Sequence, residues 1–200
     1  MMSKKLTPTG WWMGAALGVN LLLAAIVLMA FGADERGTHG ALRVTARISF
    51  LWFWAAYAGG ALASLFGNVF LPLNRHGRDF GLAFAAALLV HLGLVSWLCW
   101  IGHAPVIGVF LFFGPVAAVT YFLALCSFRD LRSMRGWRLL NVIGMNFILY
   151  AFYKDFSHPF DGDILHALEY VPFLAMTIAA PLLRLAALSI RLRGSANPMQ

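Results

Sequence analysis

Charge and cysteine are scarce in this 200-residue sequence: charged residues make up 12% and cysteines number two. A soluble domain is about 25% charged and about 45–50% apolar. Here 61% of residues are hydrophobic and 14% aromatic, and the mean hydropathy is +0.77. So few charges cannot cover a water-facing surface, which excludes an ordinary soluble domain and the nucleotide-binding, kinase-like and protease-like modules built on one. Cys99 and Cys126 lie inside apolar runs without CxxC or CxxCH spacing, which excludes a disulfide framework, a zinc ribbon and covalent haem attachment. No tandem repeat or low-complexity stretch is present. Nor does a small-residue cleavage site follow the first apolar run, Trp11 to Phe31. That run is long enough to span, so the sequence predicts a retained first helix rather than a leader.

What is present is long apolar runs. A helix needs about 20 apolar residues to cross the hydrocarbon core, and six segments separate at charged and Gly/Pro-rich punctuation: 11–32, 45–71, 80–102, 105–127, 138–155 and 164–188. The sequence therefore predicts an all-α integral membrane protein, a six-transmembrane-helix bundle in a single domain over 1–200, with a frayed tail at 194–200. Pro115, Pro172 and Pro181 are expected to kink their helices without breaking them, because neighbouring helices re-satisfy the freed carbonyls. Small residues at four-residue spacing, Ala55, Gly59, Ala63 and Gly67 in the second helix and Gly14 and Gly18 in the first, are expected to mark close helix contacts within the chain.

The net charge of +7 is scattered between the apolar runs, which argues for topology and against a nucleic-acid partner. With the N-terminus inside, eleven of the 15 basic residues fall on the inner side, leaving Arg36, Arg43, Arg47 and Lys154 outside. The positive-inside rule then places both termini in the cytoplasm. The expected location is a bacterial inner (plasma) membrane, with the lipid bilayer as the main partner.

Ionisable residues at membrane depth are functional candidates. His91 lies eleven residues into the third segment, about 16 Å from its inner end at 1.5 Å per residue. Ala87 and Ala83 lie one and two turns below it on the same face, leaving a groove for something flat. His91 reads either as an axial ligand to haem iron or as a neutral histidine hydrogen-bonded to another helix. Asn141 and Asn146 in the fifth segment suit interhelical amide bonds, and Met145 suits gap-filling or a thioether ligand. Arg47 either snorkels to the interface or holds an anionic group such as a haem propionate. On the outer side His103, His158, Asp161, Asp163, His166 and Glu169 form either a divalent-metal cluster or a solvated acidic loop, and no compact ligand signature such as HExxH is present.

The runs Ala41-Leu42-Arg43, Ala46-Arg47-Ile48-Ser49, Arg78-Asp79-Phe80-Gly81-Leu82-Ala83-Phe84, His91 and Trp137-Arg138-Leu139-Leu140 resemble the ferric reductase-like transmembrane domain over roughly residues 41–156. This haem-binding six-helix module occurs in bacterial membrane reductases, including the haem subunit of the periplasmic methionine sulfoxide reductase system, and in NADPH oxidases. The resemblance implies a membrane electron-transfer subunit with b-type haem at His91, the family's third-helix ligand position. Arg78 and Gly81 match its cytoplasmic helix start, and with Arg47 the resemblance makes Arg78 a candidate cofactor-binding residue. It also implies a separate donor or acceptor (a flavoprotein, quinol or periplasmic redox partner), since 200 residues leave no room for a flavin or NAD(P)H domain. The chain departs from the pattern where the family places histidines: it has Asn141 and Tyr153-Lys154-Asp155 in the fifth helix, and Leu88 in the third. His158 is the remaining candidate second ligand, three to four residues beyond the family position. The alternative is a haem-free member of the same fold with a structural or partner-binding role. A small transporter built on the outer cluster would lack the inverted repeat and the acidic residues at depth that transport folds use.

Overall fold

The computed structural model describes residues 8–128, 136–157 and 168–196, and it is helical throughout them apart from short turns. In chain order the elements are α1 (Pro8–Phe31), α2 (Glu35–Phe66), a 3-10 turn (Gly67–Phe70), α3 (Leu71–Arg75), α4 (Gly77–Trp100), α5 (Ile107–Phe128), α6 (Trp137–Ser157) and α7 (Val171–Ala196). Among the described residues five helical stretches are long and apolar enough to cross a membrane: α1, α2 continued through α3, α4, α5, and α7 as far as Arg193. The fifth expected segment forms α6, whose 21 residues include Arg138, Asn141, Asn146, Lys154 and Asp155. The chain divides into two compact units, Met1–Phe53 with Arg78–Ile148 and Trp54–Gly77 with Leu149–Gln200.

The second helix begins at Glu35, ten residues before the apolar run that predicted it. Local capping explains the extension. The Asp34 side chain accepts the Gly37 N–H at 2.9 Å, and the Thr38 hydroxyl donates to the Asp34 carbonyl at 2.6 Å. This is an N-cap that satisfies a free donor of the first turn. A Cβ on Gly37 would overlap the Gly32 carbonyl, so the turn between α1 and α2 needs glycine there. Over 32 residues α2 is about 48 Å long, well beyond a hydrocarbon thickness of about 30 Å.

In the first unit α4 is the most heavily buried element. Leu82 to Ala87, Val90, Leu94 and Leu98 are enclosed, whereas the large apolar residues of α1, such as Leu22 and Met29, face outward as lipid-facing side chains do. From α1 only Ala16, Asn20 and Ala24 are buried, one turn apart on a single line. Trp12, Trp52 and Phe80 stack at one end of this interface with centroids 5.0–6.0 Å apart. Ala24, Ala41, Val90 and Leu94 close the other end. At the start of α4 Asp79 accepts a bond from Thr9 at 2.7 Å. At its end Gly102 (φ 85°) donates to the Cys99 carbonyl and His103 N–H to the Leu98 carbonyl. That pair of bonds is the Schellman arrangement, which requires the left-handed conformation glycine adopts freely. Pro115 lies within a continuous α5, as expected. Tyr121 of α5 donates to the Ala85 carbonyl at 3.2 Å, and Gly144 brings α6 against Leu123 and Val119.

In the second unit the chain leaves α2 at Gly67 and folds back so that α3 meets α2. A Cβ on Gly59 would lie 3.1 Å from Leu73. Gly59 of the small-residue line therefore serves a contact within the chain, whereas Gly67 lies in the 3-10 turn, where a Cβ would meet nothing within 4 Å. In contrast, a Cβ on Gly14 or Gly18 of α1 would meet nothing within 4 Å, so the same pattern there makes no such contact. Trp54 donates to the Met176 carbonyl at 3.0 Å, Arg184 stacks 4.0 Å over the Tyr57 ring, and Arg191 donates to Ser64 at 2.6 Å, all joining α7 to α2. Phe156 packs against Phe173 and Tyr170. Pro181 lies inside α7, which continues through it.

Candidate functional site

His91 sits two-thirds of the way along α4 and its ring meets α2: Thr45 Oγ1 lies 3.2 Å from His91 Nδ1. Thr45 Oγ1 also lies within hydrogen-bond reach of two carbonyls of its own helix, Ala41 at 2.9 Å and Leu42 at 3.1 Å. A hydroxyl has one hydrogen and two lone pairs, so this one group links the imidazole to the backbone of α2. A ring held through Nδ1 by a neighbour, with Nε2 turned elsewhere, is the arrangement a metal-ligating histidine uses.

The face of α4 below His91 is not an open groove. Ala83 and Ala87 are 0% exposed, packed with Ala16 of α1 (also 0%) and flanked by Trp12 and Trp52. The small side chains that suggested a slot for a flat molecule instead let α1 approach α4 closely, as small residues do between membrane helices.

The other candidates are dispersed. Arg47 lies two residues beyond Thr45, about 200° around α2, so it does not share the face that meets His91. It is half-buried. Arg78 lies 13 residues before His91, about 20 Å along the axis, and its guanidinium donates to the Ser127 carbonyl at 2.7 Å and the Ser127 hydroxyl at 3.3 Å. It therefore caps the C-terminal end of α5, where a cation complements the helix dipole. His103 pairs with Glu35, Nδ1 to Oε2 at 3.0 Å, and His39 lies 4.0 Å from the other oxygen of that carboxylate. His158, Asp161, Asp163 and His166 lie outside the described residues. Among the described residues no group of three or more His, Cys, Asp or Glu side chains is placed to hold a metal ion. On α6, Asn141 and Met145 are half-buried, and Asn146 is exposed with its amide donating to the Val142 carbonyl of its own helix at 2.7 Å.

Sequence reasoning missed Thr45, Ser49 and Asn20, all at most 1% exposed. Asn20 carried a signal, since it is an amide inside an otherwise apolar run. Thr45 and Ser49 did not, because hydroxyls that can bond their own helix are ordinary in membrane spans.

Among the described residues a haem site is not completed. Nδ1 of His91 is held by Thr45, and the alanine face beside it is filled by α1 and two tryptophans. On α6, where the resemblance places the second ligand, the described residues contain no histidine. No family model, curated protein or solved structure matches this chain.

Proposed function

We propose that this chain is a six-span integral membrane protein of a bacterial inner membrane, with both termini cytoplasmic and α6 as the least apolar span. In this reading it acts as a haem-free structural or partner-binding subunit, and His91 joins α4 to α2. The observation that carries it is the closed packing of Ala16, Ala83 and Ala87 beneath Trp12 and Trp52, which uses the cofactor-sized face of α4 for helix contact. The eleven inner basic residues support the orientation.

A second reading, an electron-transfer subunit holding b-type haem at His91, is favoured by one specific feature, an imidazole whose Nδ1 is engaged by Thr45 while Nε2 is not part of that contact. One experiment separates the two. Protein expressed with ample haem and purified in detergent is scanned oxidised and dithionite-reduced. A colourless, folded protein is expected. A Soret band that shifts on reduction and vanishes in His91→Ala would replace the first reading by the second.

A further inference from the structure

We propose that Asn20, Ser49 and Trp52 bind an ordered water molecule sealed inside the interface of α1, α2 and α4. Asn20 Oδ1, Ser49 Oγ and Trp52 Nε1 are buried atoms without a hydrogen-bond partner among the described residues. Asn20 is 0% and Ser49 1% exposed. They belong to one stretch of the interface. Trp52 packs on Ala16, Ala83 and Ala87, Asn20 is one turn beyond Ala16 on α1, and Ser49 is one turn from Trp52 along α2, toward Thr45. The aromatic layer of Trp12, Trp52 and Phe80 shuts one end, and the apolar layer of Ala24, Ala41, Val90 and Leu94 shuts the other. Bulk water cannot serve these groups from either side, and lipid offers no hydrogen bonds.

The chemistry of the three atoms specifies the occupant. The Asn20 amide nitrogen is already committed to the Ala16 carbonyl at 3.0 Å, which leaves Asn20 an acceptor. The indole N–H is only a donor, and a serine hydroxyl is both. A cation would face the indole hydrogen and an anion would face the amide oxygen, so the set suits a neutral molecule that both donates and accepts. Water meets that description and typically holds two to four polar partners when buried. Water accepts from Trp52, donates to Asn20 and bonds Ser49. This places a hydrated polar layer beside the Thr45–His91 pair, independent of any cofactor.

Thermal unfolding of the full chain in detergent tests it, because the sign of the effect differs between wet and dry sites. With water in place, Ser49→Ala and Trp52→Phe each lower the midpoint by about 2–4 °C, and the double variant loses less than the sum because both act through one molecule. In a dry site each substitution deletes an unpaired polar group, so an unchanged or raised midpoint overturns the proposal. A second measurement uses the unaltered protein: the Trp52 indole N–H resonance, assigned through contacts to the Ala16, Ala83 and Ala87 methyls, is expected to exchange magnetisation with a bound water. Its absence overturns the proposal.

Discussion

Thr45 Oγ1 stands 3.2 Å from His91 Nδ1 and 2.9 and 3.1 Å from the Ala41 and Leu42 carbonyls of its own helix, so a single hydroxyl joins the α4 imidazole to the backbone of α2. Thr45→Val keeps the side-chain shape and removes the hydroxyl that joins His91 to α2. It is expected to destabilise the protein by about 1–2 kcal/mol. Thr45→Val/His91→Leu removes both partners and is expected to lose less than the two single changes together. Chemical unfolding in mixed micelles measures all three, and strict additivity would show that the bond contributes nothing.

Two glycines on similar apolar helices should respond to alanine with opposite signs. A Cβ at Gly144 falls 2.9 Å from Leu123 and 3.1 Å from Val119, and such overpacking costs about 1–3 kcal/mol. At Gly14 a Cβ meets nothing within 4 Å, so Gly14→Ala gains helix propensity, about 0.5–1 kcal/mol. Midpoints of thermal unfolding for the two variants are expected to move in opposite directions.

Arg78 holds the last carbonyl end of α5 through Ser127 rather than an anionic ligand. Arg78→Ala is expected to cost about 1–2 kcal/mol, since charged donors to a carbonyl are stronger than neutral ones. Lysine keeps the charge and loses the fork, so Arg78→Lys should recover only part of the stability. Equal losses in both variants would rule out a contribution from the charge itself.

Arg184 lies 4.0 Å over the ring of the buried Tyr57. Tyr57→Phe preserves the ring face and is expected to change stability little through this contact. Tyr57→Leu loses it, with about 0.5–2 kcal/mol attributable to the cation–π term. A double-mutant cycle with Arg184→Met isolates that term, and zero coupling would remove it.

Capping at the α1–α2 turn gives a separate local test. Asp34→Ala deprives Gly37 N–H of its acceptor and should lower stability by about 0.5–2 kcal/mol. Hydrogen exchange at the first turn of α2 is expected to accelerate more than exchange in α4.

The all-helical, lipid-compatible character was legible in the sequence because it follows from additive, local quantities: run length, hydropathy and the positions of breaks. Even there, the start of α2 was hidden. Asp34 and Glu35 read as loop by polarity, but a side-chain cap three residues from its donor turned them into a helix start. The location of a polar residue at depth was equally legible at His91, since one histidine stands out in an apolar run. Its partner was not, because Thr45 lies 46 positions away and nothing in a hydroxyl's neighbours tells which helix it faces. The alanines at 83 and 87 show the same division. Spacing placed them below His91, yet whether that face stays open or receives another helix depends on Ala16, Trp12 and Trp52, brought there by packing. Sequence alone determined which segments are helical and apolar, through short-range forces. The tertiary structure decided which small faces are filled and which polar atoms meet, because those depend on contacts between residues far apart in the chain.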